Sequence, residues 1–320
     1  MRAHTHARNA SRHTSCPRGL AHNMRSEFTA SIGLVAGGVL WGLIWLPLRY
    51  LEDYGLPGAW AGLALYIGAA LVILPFWASG RYRLTASFKS LAICGVFLGG
   101  AFSLYASSLL MTDVVRALLL FYLTPVWGTA LGVFVLGEKL TRTRVTALIM
   151  ALVGLLVVLG IGNAVPLPRN AGDWLALLSG VCWAIGSLKV YQLNSTNTFE
   201  QIVAFVFGSL LVTLGVMVIA PDIFVAGTSL MTALPALPWG ILMSLYVLPM
   251  LFLTVWPASL LTPGRVGILL MSDLVVGIIS AALFAGEPFG WRETAGSLLI
   301  IGAALVEVFG KWSLTRAAAR

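Results

Sequence analysis

Residues 116–140 read RALLLFYLTPVWGTALGVFVLGEKL, and residues 265–289 read RVGILLMSDLVVGIISAALFAGEPF. Set against each other at an offset of 149, Arg116 falls on Arg265, Thr124-Pro125 on Asp273-Leu274, and Gly137-Glu138 on Gly286-Glu287. Each stretch holds about 20 mostly apolar residues between charges, the length of helix that crosses the hydrocarbon of a bilayer. Upstream, GGVLWG (37–42) matches SGVCWA (179–184), with Trp41 on Trp183 at an offset of 142. The chain therefore holds two similar halves, and the quoted stretches are the same element in each.

Apolar runs broken by charge, Gly, Pro or Asn place ten spans, at 29–50, 57–79, 90–111, 114–136, 145–163, 173–193, 200–220, 237–258, 264–285 and 291–313. Backbone groups in lipid must be satisfied within the segment or by a closed barrel. Long runs without strict alternation argue against the barrel and for helices. Five spans per half is an odd number, so the second half lies upside down relative to the first. Inverted repeats let a site near the midplane face either side of a membrane in turn.

Charge sets the expected orientation. With the N-terminus in the cytoplasm, inside segments hold 16 of the 20 Lys and Arg residues and outside segments hold Arg49, Arg116, Arg169 and Arg292. That bias puts both termini in the cytoplasm of an inner, or plasma, membrane of bacterial type. Residues 1–28 are expected to be a basic, disordered cytoplasmic tail, and 314–320 a second, short one. The first tail lacks the apolar core of a secretory signal. Met24, just before the first run, is a candidate biological start.

Composition agrees. The chain has 320 residues, 59% hydrophobic and 10% charged, with a mean hydropathy of +0.92. Soluble domains carry about 25% charged residues. The net charge of +8 is concentrated in the tail and alternate loops, so it reads as topology rather than nucleic-acid binding. Cys16, Cys94 and Cys182 form no disulfide framework, and the four histidines all lie in the tail, so no metal and no cofactor is expected. There is no P-loop pattern for direct ATP drive.

The Trp-Gly of the first span, Thr-Pro-Val within the fourth, LGEKLTRTR after it and a second Gly-Glu after the ninth resemble the EamA type of the drug/metabolite transporter superfamily. The resemblance covers roughly residues 29–313. It implies two inverted five-helix repeats, 29–163 and 173–313, around a central cavity bounded by spans one, three, four, six, eight and nine. It also implies export of amino acids, other metabolites or drugs, or solute exchange. The second half departs from the family in having Asp273-Leu274 where Thr124-Pro125 stands in the first, so the proline expected in span nine is missing.

Asp273 is the sharpest candidate. It lies 8 residues after Arg265 and 14 before Glu287, near mid-depth. An intramembrane carboxylate costs at least about 2.5–3.5 kcal/mol and is kept for a cavity or a partner. It is read as a substrate contact and proton-coupling group, against a structural hydrogen bond to a Ser or Trp. Arg116 and Arg265 are read as repeat-related contacts for an anionic group, since Arg grips carboxylates bidentately. Snorkelling competes for both, and an ion pair with Asp113 competes for Arg116. Lys189 is an anion contact or a snorkelling side chain. Trp41, Trp183 and Tyr246 are read as cavity walls. Thr124, Pro125, Gly137, Glu138, Gly286 and Glu287 are structural, in the break and the turns. Glu307 is expected to pair locally with Lys311. Gly38 with Gly42, and Gly128 with Gly132, are small-residue patterns that let helices approach closely. Pro47, Pro125 and Pro249 are candidate kinks.

Together these residues point to a secondary transporter, not an enzyme. It would move an amino acid or another anionic or zwitterionic carboxylate by alternating access, outward by what the family resemblance implies. Alternatives are a broad-range drug exporter, a solute exchanger and a non-transporting scaffold. The expected partners are a small-molecule substrate, the lipid bilayer, and protons or a counter-solute; a homodimer is left open.

Overall fold

The computed structural model describes residues 17–56, 59–79, 85–109, 111–112, 114–159, 167–193, 197–221, 228–286 and 289–318. Among them every regular element is helical. Eight helical stretches are long and apolar enough to cross a membrane. The other two expected spans are Arg142–Val158, 17 residues long, and Trp291–Ala318, and they pack along each other. The first helix begins at Pro17, inside the stretch expected to be a disordered tail, and the last runs on to Ala318.

Helix packing follows the sequence repeat. Span three packs on span six as span eight packs on span one, and three on seven as eight on two. Span four meets six as nine meets one, while the contacts four–nine, five–ten and two–seven map onto themselves. Exchanging the halves leaves the main packing pattern unchanged, the behaviour of a pseudo-two-fold assembly.

Both diagnostic spans are interrupted. Span four is Val114–Phe121 and Thr124–Leu136; span nine is Pro263–Leu270 and Ser272–Phe284. Each divides into 8 and 13 residues, and the breaks coincide at the offset of 149. In span four the break has a proline: Pro125 sits in the first turn of the second half, and the Thr124 hydroxyl donates to the Phe121 carbonyl at 2.6 Å. Span nine breaks without one. Asp273 occupies the first turn there, and its carboxylate accepts the Leu274 N–H at 2.6 Å. A short polar side chain that bonds local backbone offers an alternative to the helical ladder, and an acid is favoured at a helix N-terminus. Two chemistries thus make one shape. Pro249, by contrast, lies inside the continuous helix Leu237–Ala258.

The second halves of both interrupted spans end on a glycine with positive φ, 68° at Gly137 and 70° at Gly286. Only glycine adopts this freely, and it stops the helix ahead of the turn. Glu287 lies outside the described residues; Glu138 reaches Arg144 at 3.8 Å.

Span one is also interrupted, between Pro17–Gly42 and Trp45–Asp53. Its repeat partner, Ala171–Gln192, is continuous. Gly38 and Gly42 seat span one on the second half of span nine. A Cβ on Gly38 would strike the Ser272 hydroxyl. One on Gly42 would strike the Asp273 carbonyl, with Val276 Cβ at 2.8 Å and the Gly277 nitrogen at 2.9 Å. Gly128 likewise lies on Pro263, whereas Gly132 makes room for the Glu138 carboxylate. Backbone cannot yield as a side-chain tip can, so Gly42→Ala should destabilise the protein by about 1–3 kcal/mol through overpacking. Thermal unfolding in detergent checks this, and an unchanged midpoint would mean the seam has slack.

Candidate functional site

The three interruptions converge on one cavity of about 360 Å³. Span one contributes Trp41, Gly42, Ile44 and Trp45; span three, Phe102 and Tyr105; span four, Leu118, Phe121 and Tyr122; span six, Trp183; and span nine, residues from Leu270 to Ala281 including Asp273. Span eight supplies no lining residue, unlike the expectation from family resemblance.

Asp273 is the only Asp, Glu, Lys, Arg or His among the lining residues. Its carboxylate is held by the Leu274 N–H and by a side-chain hydrogen bond with Tyr122, and Tyr105 is close enough to interact with its charge. Tyr122 occupies the break of span four, so the two interrupted spans meet through this pair.

The rest of the wall is largely aromatic. Trp41 and Trp183, matched in the sequence repeat, meet edge to face with centroids 6.4 Å apart, and Trp41 also packs on Phe102 at 5.1 Å. Hydroxyls hold two of the indoles: Trp41 Nε1 donates to Thr254 Oγ1 at 2.9 Å, and Trp45 Nε1 to Ser280 Oγ at 3.0 Å. Phe102 and Tyr105 carry no distinctive sequence signal. Aromatics abound in membrane helices, and only packing separates wall from anchor.

Other expected contacts lie elsewhere. Arg116 binds Asp173, which is fully buried in the first turn of span six. Arg116 Nε lies 3.2 Å from that carboxylate, and Nη2 also donates to the Leu167 carbonyl at 2.8 Å. Thr112 Oγ1 and the Arg169 N–H complete the shell at 2.6 and 2.8 Å. Asp113, the rival partner, lies outside the described residues. Arg265, 3% exposed, donates to Glu27 at 2.8 Å and lies 3.2 Å from Glu307. Glu307 pairs across the fold with Arg265, and with Arg144 at 3.1 Å; the side chain of Lys311, its expected local partner, lies outside the described residues. Lys189 reaches Gln192 at 3.1 Å near the end of its helix. Tyr246 donates to the Leu40 carbonyl and braces span one from behind. None of Arg116, Arg265, Lys189 and Tyr246 lines the cavity. Thr124 and Pro125 sit in the break; Pro125 packs on Gly267, whose Cβ would lie 2.8 Å from the proline Cα.

Comparison with known proteins agrees with this fold. Residues 28–160 match the EamA-like transporter family. A "probable amino-acid metabolite efflux pump" of Salmonella typhimurium (strain LT2) is 25% identical over 285 residues, covering 85% of this chain and 92% of that protein. A protein of the same name from Escherichia coli (strain K12) is 25% identical over 57% of this chain and 63% of its own. An uncharacterized transporter of Bacillus subtilis (strain 168), YoaV, is 24% identical over 49% of this chain and 55% of its own. A solved crystal structure superposes with a TM-score of 0.65 at 20% identity, over 87% of this chain and 96% of that one, and so shares the fold. With its helical interior, its eight stretches long and apolar enough to cross a membrane and these similarities, the chain is a multi-pass membrane protein whose residues 28–160 match the EamA-like transporter family and which resembles, over most of its length, a protein named as an efflux pump.

Proposed function

We propose that this protein exports small amino compounds with an apolar or aromatic portion across the bacterial inner membrane, in exchange for protons. The reading rests on one observation: an aromatic cavity whose only formally charged lining residue is Asp273. A carboxylate framed by aromatic faces suits an ammonium group, through ion pairing and cation–π attraction. The expectation of an anionic substrate leaned on Arg116, Arg265 and Lys189, which are engaged elsewhere. Zwitterionic amino acids remain within the proposed class, in keeping with the relatives' printed name.

Proton and ammonium compete for one carboxylate. Facing the cytoplasm, ionised Asp273 takes the amine. Facing outward, a proton displaces it, and the protonated carrier returns. The proton gradient then drives efflux without a second site. The aromatic walls also favour a second reading, efflux of flat cationic drugs, by the same mechanism.

Proteoliposomes with an imposed pH gradient test this. Amino compounds should move at least about ten-fold faster than carboxylates of equal size lacking the amine, since one charged contact is worth about 1.5–3 kcal/mol. Preference for the amine-free acid, or indifference to the gradient, would reject the proposal.

A further inference from the structure

The cavity is one-sided. Its lining runs along span nine from Leu270 to Ala281 and along span one from Trp41 to Trp45, toward the ends of those helices that the charge pattern puts outside. In the opposite direction lies a chain of ion pairs. Glu27 of span one binds Arg265 of span nine at 2.8 Å; Arg265 lies 3.2 Å from Glu307 of span ten; Arg144 of span five grips Glu307 at 3.1 Å through both Nη2 and Nε; and Glu138 lies 3.8 Å from Arg144. Arg265 stands five residues before Leu270, about 7.5 Å of helix below the cavity floor. The chain joins both halves of the protein, and its centre, Arg265 with Glu307, is 3% and 6% exposed.

Among the described residues the other end shows no matching chain of ion pairs. At an offset of 149 the counterparts of Glu307 and Arg144 are Val158 and Glu293, which form no such bridge. There Arg116 and Asp173 join spans four and six. A second observation marks a route through the closed end. The hydroxyls of Thr129, Thr262 and Ser272 are buried with no hydrogen-bond partner, on spans four and nine and the turn leading into nine. Gly264 brings the two spans together beside Arg144: a Cβ there would lie 2.9 Å from Thr129 Oγ1. Buried hydroxyls without partners are rare in native interiors and call for an explanation. A path that fills with water in another state supplies one.

We infer that the chain Glu27–Arg265–Glu307–Arg144 is the cytoplasmic gate of the transporter, with Glu307 its central link, and that Thr129 and Thr262 line the path it closes. Loading from the cytoplasm requires Glu307 to release at least one of its two arginines. The inference rests on the alternating-access reading above, but its test uses neither substrate nor proton gradient.

The test places a reporter at Thr129→Cys, with Cys16, Cys94 and Cys182 replaced by alanine. A membrane-impermeant maleimide is applied to inside-out and to right-side-out vesicles. Glu307→Gln keeps the shape but removes the charge. It should raise the labelling rate from the cytoplasmic side by at least about ten-fold, because a buried arginine left without its partner is strongly disfavoured. The rate from the outer side should not rise. Arg144→Gln, which cuts the chain at a residue more exposed than Glu307, should act in the same direction and serves if Glu307→Gln does not fold. Unchanged labelling in the folded variants, or an equal rise from both sides, would overturn the gate. Altered labelling in a protein that moves no amine would instead keep the gate and reject the proposed substrate.

Discussion

Asp273→Asn is expected to abolish proton-driven efflux while leaving the protein folded. Asparagine keeps the size of the side chain. Its carbonyl can still accept from Leu274 N–H, and its amide can still bond Tyr122, so the break in span nine should persist. What disappears is the charge. With no carboxylate to protonate, the pH gradient has nothing to act on in the cavity, and gradient-driven flux should fall to background. Amine binding should weaken about ten- to hundred-fold, the equivalent of about 1.5–3 kcal/mol for one charge-assisted contact. Proteoliposome flux measures the first effect, and ligand-induced thermal stabilisation of purified protein the second. Full gradient-driven efflux by a folded Asp273→Asn variant would remove the carboxylate from the mechanism and leave it the structural role considered from the sequence.

Arg116→Ala should have the largest effect on stability, and the effect should not depend on the substrate. Asp173 is completely buried and draws its only formal positive charge from Arg116 among the described residues. Truncating one partner of such a pair leaves an uncompensated charge, at a cost of about 3–5 kcal/mol. Arg116 is itself 19% exposed, so water can partly take its place and the lower end of that range is expected. A second substitution separates this from lost packing. Asp173→Asn added to Arg116→Ala removes the stranded charge and should recover part of the loss, a coupling that a double-mutant cycle measures. An unchanged unfolding midpoint with selective loss of one class of ligand would return Arg116 to the binding site.

The arginines show why part of the site was illegible. Arg116 and Arg265 match in the repeat and lie within apolar runs, so a shared anion-binding role followed naturally from the pattern. Their partners lie far along the chain: Asp173 is 57 residues from Arg116, and Glu27 is 238 from Arg265. No local spacing reveals such pairs. Glu307 misled in the opposite way. Lys311 at i+4 was the partner its local spacing offered, and the spacing gave no sign that the carboxylate also meets two arginines in the seam between spans five, nine and ten.

The break in span nine was hidden for a different reason. Pro125 marks its counterpart because a missing N–H is visible in any sequence. Asp273 makes the same break by bonding its own backbone, and an aspartate in an apolar run could equally have sat in a continuous helix. The cavity walls were only half legible. Trp41 and Trp183 stood out through the repeat, whereas Phe102 and Tyr105 had no repeat or motif to distinguish them.

The amino-acid sequence by itself determined that the chain crosses a membrane many times and that stretches of its two halves repeat. These are one-dimensional properties: hydrophobic length against bilayer thickness, and matched residues at a fixed offset. It also singled out Asp273, because a carboxylate in hydrocarbon is expensive wherever it sits. Only the tertiary structure decided which charges face the cavity and which neutralise one another. That choice depends on distances between helices remote in sequence, and it turned an expected anion site into an aromatic cavity with a single acid.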